Sequence, residues 1–331
     1  MLGTSPPDPN LIKDLATRFM ASKLLFAAGE LGLFEALGQG PADRDTLATK
    51  LGLPVRSVAL LADAMASVGL IVRDGERYAN SPTADTFLAG KTPSDLRPLL
   101  RMFERLEYNA WGHLVPTLQA GLPPALAVPL DEQSLGVFHD GIDVFTQGAA
   151  RGLLRAYDFG GRRMVLDVGG GNGSFLQILL GAHPHLRGTL VELPHVVDVA
   201  RQKLAGSPLL DRVSLVDADA LADDLPLGHD VIIVANVIHL LAPAHTELLL
   251  RRLRAIAGEE TELLLIDLWT DPPRAEPALA ILMAGEFMIR SNFGDVYPAE
   301  QGRAWLEASG WQMVEQRRLG EPLSMLVARP A

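Results

Sequence analysis

The stretch LDVGGGNGSF, Leu166 to Phe175, decides how this chain is read. A short apolar run, Met164–Val168, leads into it and an apolar helical pattern follows, so the glycines stand on a strand-to-helix turn. Four further strand-type runs, Gly188–Glu192, Val213–Val216, Asp230–Ala235 and Glu262–Leu268, alternate with helical stretches. That alternation belongs to βαβ units and predicts an α/β fold with a doubly wound, mostly parallel sheet. Two last runs, Trp311–Arg317 and Leu323–Arg329, flank Gly320-Glu321-Pro322 and predict an antiparallel C-terminal hairpin closing the sheet.

In open α/β sheets ligands bind at the carboxyl ends of the strands. The residues there are Asp167 with the glycine loop, Glu192, Asp219, Asn236 with His239, and Asp267. The glycines run as G-x-G-x-G and not as the dinucleotide fingerprint G-x-G-x-x-G, which fails from both Gly169 and Gly171. A carboxylate at Asp167 repels a pyrophosphate and suits a cationic or amino-bearing ligand. The glycines, Gly169 and Gly171 among them, allow backbone to approach that ligand closely. Glu192 lies 21 positions after Gly171, near the roughly 20 expected of a carboxylate that accepts from ribose hydroxyls. With Asp219 placed to accept from an adenine amino group, the set describes an adenosine ligand without phosphate, namely S-adenosyl-L-methionine, with S-adenosyl-L-homocysteine as its product.

His239 is the candidate base. Free imidazole titrates near pH 6.5, so much of it is neutral at pH 7 and able to take a proton from a methyl acceptor such as a phenol. Asp267 and Asp295 are read as acids that orient it and stabilise its protonated form. The eight histidines show no ligand-type spacing beside a carboxylate cluster, so no metal is expected.

The N-terminal part has a different texture. Helical periodicity over 11–28 leads to a short helix opening at Asp45, a turn at Gly52-Leu53-Pro54, a second helix over Arg56 to Val68, and a hairpin about Asp74-Gly75. Together these make a winged helix. A DNA-reading winged helix needs several cations on one face, yet residues 41–90 hold five basic side chains against six acidic ones. The stretch 94–121 carries an apolar load (Leu99, Leu100, Phe103, Leu106, Trp111, Leu114, Leu118) that suggests association with another chain. A Pro- and Ala-rich connector follows over Gly121–Gln133, then a helical segment from Ser134 to Tyr157.

The 331 residues suggest two domains of roughly 150 residues. With 48% hydrophobic and 21% charged residues, the chain is not wholly disordered. A net charge of −11 argues against a nucleic-acid binder. The absence of cysteine excludes disulfides and thiol chemistry. No signal peptide is expected from MLGTSPPDPN, and no apolar run nears the roughly 18 residues of a membrane span. A cytoplasmic protein is expected.

LDVGGGNGSF at 166–175, VELPHVV at 191–197 and the histidine after the fourth strand resemble S-adenosylmethionine-dependent O-methyltransferases of the caffeic acid and acetylserotonin type, in their bacterial secondary-metabolite and antibiotic-biosynthesis branch. The resemblance covers nearly the whole chain and implies the methyltransferase sheet with a winged-helix dimerisation domain over 1–92, a helical connector over 93–157 and a catalytic domain over 158–331. By position it places Gly169 at the methionine part of the cofactor, Glu192 at the ribose, Asp219 and Ala220 beside adenine, and the Ala235 carbonyl nearby. It makes His239 the base flanked by Asp267 and Asp295, and assigns Phe138, Ile142 and Asn292 to the substrate. A homodimer through the N-terminal domain and a small-molecule substrate are implied, with no nucleic acid or membrane partner. The chain departs from the family in lacking an acid beside the base, where Leu240 follows His239, in having Asp for both flanking acids, and in replacing G-x-x-R-T by Gly294-Asp295-Val296-Tyr297-Pro298. The implied reaction is O-methylation of a small aromatic or polyketide hydroxyl. N- or C-methylation and cofactor-bound chemistry without methyl transfer, such as hydroxylation, decarboxylation or a pericyclic step, are its rivals.

Overall fold

The structure, a computed structural model, describes residues 7–121, 131–271 and 276–331. The connector expected over Gly121–Gln133 therefore lies largely outside the described residues. The chain forms two compact units. The first takes in the described residues up to Asn109 and the start of the helix Glu132–Ala156, as far as Val144. The second takes in Ala110 to Gly121 and Phe145 to the end.

In the first unit, strands β1 (Ala42–Asp43), β2 (Ile71–Asp74) and β3 (Arg77–Asn80) form a three-stranded sheet in the order β1-β3-β2. The helices Arg44–Leu51 and Val55–Ser67 pack against it, giving the expected winged-helix arrangement. Asp43 caps the first helix by accepting from the Thr46 N–H, and Gly52 ends it in the left-handed conformation, φ 64°. Val58, Leu61, Ala62 and Met65 recur at helical spacing and bury one face of the second helix with Phe34, Leu47 and Tyr78. The buried Tyr78 donates its hydroxyl to Asp63 at 2.7 Å, and Asp63 also pairs with Arg44 and Arg73. Two of the five basic side chains of this region are thus occupied by one internal carboxylate. The helix Pro9–Glu30 leaves Leu11, Ile12, Leu15, Phe19 and Met20 exposed.

The second unit holds a seven-stranded sheet of β4 (Met164–Val168), β5 (Arg187–Glu192), β6 (Val213–Asp217), β7 (Val231–Ala235), β8 (Glu262–Asp267), β9 (Trp311–Gly320) and β10 (Leu323–Pro330), in the order β6-β5-β4-β7-β8-β10-β9. The first five are mutually parallel; β10 runs antiparallel to β8 and to β9. Each of the expected strands appears within one to three residues of the predicted limits. Side chains alternate across the pleat, and both faces are apolar, as a helix-covered parallel sheet requires. Val165, Ile233, Leu264, Ile266 and Met325 meet Leu153 and the helix Ser174–Ala182 on one face. Leu166, Val168, Ile232, Val234, Leu263 and Leu265 meet the helices Pro243–Ile256 and Ala299–Ala308 on the other. The apolar stretch 94–121 is not one continuous helix: a π turn spans Phe103–Glu107 and a tight 3₁₀ turn spans Trp111–His113. Among the described residues no helix is long and apolar enough to cross a membrane.

Candidate active site

The parallel register brings the carboxyl ends of β4 to β8 to one edge. Val168 lies beside Val191 and Val234, Glu192 beside Asp217, and Ala235 beside Ile266. The side chains read from the sequence at these strand ends share that edge. Asp295 reaches it as well, because its N–H donates to the His239 carbonyl at 3.1 Å.

The loop after β4 wraps a buried carboxylate. Gly169, Gly171 and Gly173 have φ of 68°, 58° and 80°, a conformation that side chains disfavour. A Cβ on Gly170 would lie 2.3 Å from Asp167 Oδ2, so that glycine is required by contact and not by its φ. Asp167 is fully buried, and neither of its oxygens has a hydrogen-bond partner among the described residues. Burial, reinforced by the neighbouring Glu192 charge, pushes its carboxyl up to about 7. Glu192 is held at the rim, accepting from the Gly171 N–H at 3.3 Å and the Leu193 N–H at 2.6 Å. Two carboxylates, one of them buried without a partner, make this a place for a cation. S-adenosylmethionine carries an ammonium and a sulfonium, so the residues present fit it.

The turn after β6 is braced from within. The Asp219 carboxylate accepts from Leu221 N–H at 2.8 Å, and its own N–H donates to Asp223 at 2.8 Å. The Ala220 carbonyl accepts from Arg252 Nε at 2.8 Å. Ala235 is the last residue of β7, and Asn236 follows it with φ 58°, a non-glycine left-handed residue. Asn tolerates that conformation better than most side chains, and it turns the chain sharply into His239.

His239 and Asp267 form a buried pair. His239 Nδ1 lies 2.8 Å from Asp267 Oδ1, and the His239 backbone N–H donates to Oδ2 at 3.2 Å. Leu268 N–H donates to Oδ1 as well, at 2.8 Å. A carboxylate only accepts, so Nδ1 carries a proton, and in the neutral ring Nε2 presents a lone pair. Nε2 has no partner among the described residues. The turn that holds this pair touches the glycine loop: a Cβ on Gly169 would meet Val237 Cγ2 at 2.7 Å. Phe287, from the helix Ala278–Arg290, stacks on the imidazole with ring centroids 4.0 Å apart and an interplanar angle of 15°. The sequence reading missed Phe287, because an aromatic at helical spacing reads as core. Asn292 is exposed in the loop that follows this helix. Phe138 and Ile142 lie in the other compact unit, on the first part of the helix Glu132–Ala156.

Comparison with known proteins points to one family. The family profile described as the O-methyltransferase domain matches residues 120–312, and the O-methyltransferase dimerisation domain matches residues 13–90. The chain is 30% identical to a 3-hydroxy-5-methyl-1-naphthoate 3-O-methyltransferase of Streptomyces sahachiroi, over 97% of this chain and 95% of that one. It is also 30% identical to the acetylserotonin O-methyltransferase of Mus musculus, over 97% and 88% of the two chains. The crystal structure of human N-acetylserotonin methyltransferase in complex with S-adenosylmethionine superposes with a TM-score of 0.88 at 25% identity, covering 100% of both chains.

The buried Asp167 has a consequence for stability. An acid whose carboxyl is raised in the folded state binds its proton more tightly there than in the unfolded chain. The stability this confers is complete below about pH 4, and is lost as the pH rises through about 7. Asp167→Asn, which cannot ionise, should therefore be more stable than the wild type at pH 8 by on the order of a few kcal/mol, and so melt at a higher temperature, with no such gain at pH 4. The same variant should bind S-adenosylmethionine more weakly by calorimetry. Parallel melting curves for the two proteins between pH 4 and 8 would assign the burial cost elsewhere.

Proposed function

We propose that this chain, which belongs to the S-adenosylmethionine-dependent O-methyltransferase family, methylates a hydroxyl of a small aromatic or polyketide-type metabolite with His239 as general base. The observation that carries the reading is the His239–Asp267 pair, with Nε2 uncommitted, on a turn packed against the glycine loop. The names of the relatives acting on a naphthoate and on acetylserotonin support the substrate class.

When bound, S-adenosylmethionine supplies an electrophilic methyl group on a sulfonium. Asp167 would pair with its ammonium, Glu192 would accept from its ribose hydroxyls, and Gly169 and Gly171 would let the backbone close on it. Asp219, Ala220 and the Ala235 carbonyl would border the adenine. Among the chain's own groups, His239 Nε2 takes the proton from the acceptor hydroxyl as its oxygen becomes the nucleophile. Asp267 keeps the imidazole in the required tautomer and orientation and stabilises its charge once protonated. Asp295, whose N–H donates to the His239 carbonyl and whose carboxylate accepts from the Val296 N–H at 2.8 Å, would be the second flanking acid. Such base assistance is typically worth ~10²–10⁴-fold; holding the acceptor in line contributes more. Asn292 on the neighbouring loop would contact the acceptor.

The matched dimerisation domain supports a homodimer, and the exposed Leu11, Ile12, Leu15, Phe19 and Met20 on the helix Pro9–Glu30 supply the apolar surface it needs. One aliphatic residue exposed alone is ordinary; five on a single helix, three of them inside the matched dimerisation region, are not.

Incubation with methyl-labelled S-adenosylmethionine and a panel of hydroxynaphthoates, N-acetylserotonin and phenolic polyketides should yield a labelled O-methyl product by mass spectrometry. His239→Ala should reduce that product ~10²–10⁴-fold while leaving calorimetric cofactor binding nearly intact; wild-type turnover in this variant would remove His239 from the mechanism. Glu192→Ala and Asp219→Ala should instead weaken cofactor binding itself. In light scattering the wild type should have twice the mass of the chain, and Leu15→Asp with Phe19→Asp should shift it towards the monomer; an unaltered mass would move the interface off this helix.

A further inference from the structure

The ring on the other side of the imidazole has a part in the chemistry. We infer that Phe287 is the positioning residue of His239: its ring face fixes the plane of the imidazole and stabilises the imidazolium formed when Nε2 takes a proton. The inference rests on the reading of His239 as the base.

Asp267 constrains the imidazole only along its edge, through the single Nδ1 contact at 2.8 Å. A ring held by one edge contact still rocks about that bond. Phe287 removes this freedom by lying flat on the ring face, 4.0 Å away and 15° from parallel. The electron-rich face of an aromatic ring attracts a cation within about 6 Å, and more strongly when the pair is desolvated. Both rings are buried here, at 8% and 7% exposure. The attraction acts on protonated His239 and much less on the neutral ring, so Phe287 favours the state reached at proton transfer.

Phe287 is itself held from several sides. One residue before it, the buried Glu286 accepts from Trp111 Nε1 at 2.5 Å and from Arg290 Nε at 3.2 Å. The Trp111 ring lies so close to the helix that a Cβ on Gly285 would meet it at 2.9 Å. After the helix, Ser291 Oγ accepts from Gly294 N–H at 2.6 Å, folding the loop back. A Cβ on Gly294 would lie 2.8 Å from Phe287 Cβ and 3.1 Å from the His239 carbonyl. The loop thus clasps the stack at its backbone. The charged groups on the elements around the imidazole are Asp267 at the end of β8, Asp295 in this loop, and Glu286 with Arg290 on the helix. None is altered by a substitution at Phe287.

The test follows His239 directly by NMR in protein carrying labelled histidine, its signals assigned by their absence from His239→Ala. Phe287→Leu, and the volume-matched Phe287→Met should leucine fail to fold, remove the ring; Phe287→Tyr keeps it. In the ring-less variants His239 should titrate about 0.5 lower in pH than in the wild type, and its ring protons should lose the upfield displacement caused by the aromatic face. Phe287→Tyr should restore both. A merely structural role would lower the melting temperature and leave the titration of the folded protein where it was. An unchanged titration and unchanged ring-proton shifts in the ring-less variants overturn the proposal, and they do so with no acceptor present. Full methyl transfer by His239→Ala would overturn it separately, by removing the base on which Phe287 acts.

Discussion

The parallel hydrogen-bond register of β4 to β8 fixes where every polar side chain at this edge can stand. A slip of one residue in β4 against β5 would exchange the faces of Leu166 and Asp167 and bring a carboxylate into an apolar layer. The apolar alternation on both faces forbids that slip, because Leu166 and Val168 on one side and Val165 on the other are each fully or almost fully buried. The cores thus do more than hold the sheet together. They set the height at which Asp167, Glu192, Ala235 and Asp267 end their strands, and so the distances available to whatever binds between them.

Much of this was legible in the sequence because it depends on local patterns. The strand runs, the glycine turn, the hairpin about Asp74-Gly75 and the polar residues after each strand follow from period-two alternation and turn chemistry, and the structure contains them. The pairing of His239 with Asp267 was legible too, since both follow adjacent strands at one edge. What escaped was carried by packing. Phe287 has no polar atom, and its spacing matches a core residue whether it lies against leucine or against imidazole. The break at Phe103–Glu107 and Trp111–His113 lies in a run whose apolar spacing looks continuous. Glu286 gave no signal because a carboxylate inside an amphipathic helix reads as solvated until Trp111 and Arg290 are seen around it.

Asp167 and Asp267 occupy the corresponding place on two parallel strands, the last or next-to-last residue, and both are buried. Residue type and position are the same; the surroundings are opposite. Asp267 accepts from the His239 ring, the His239 backbone and the Leu268 backbone, so its charge is committed inside the protein. Among the described residues Asp167 has nothing to accept from, and Glu192 nearby makes its ionisation harder still. A buried carboxylate without a partner is destabilising unless a cation from outside completes it. The first aspartate is therefore built for a ligand and the second for a side chain. This difference lets one sheet edge offer a cation site at β4 and, under the proposed function, hold a base between β7 and β8, using a single kind of acid for both.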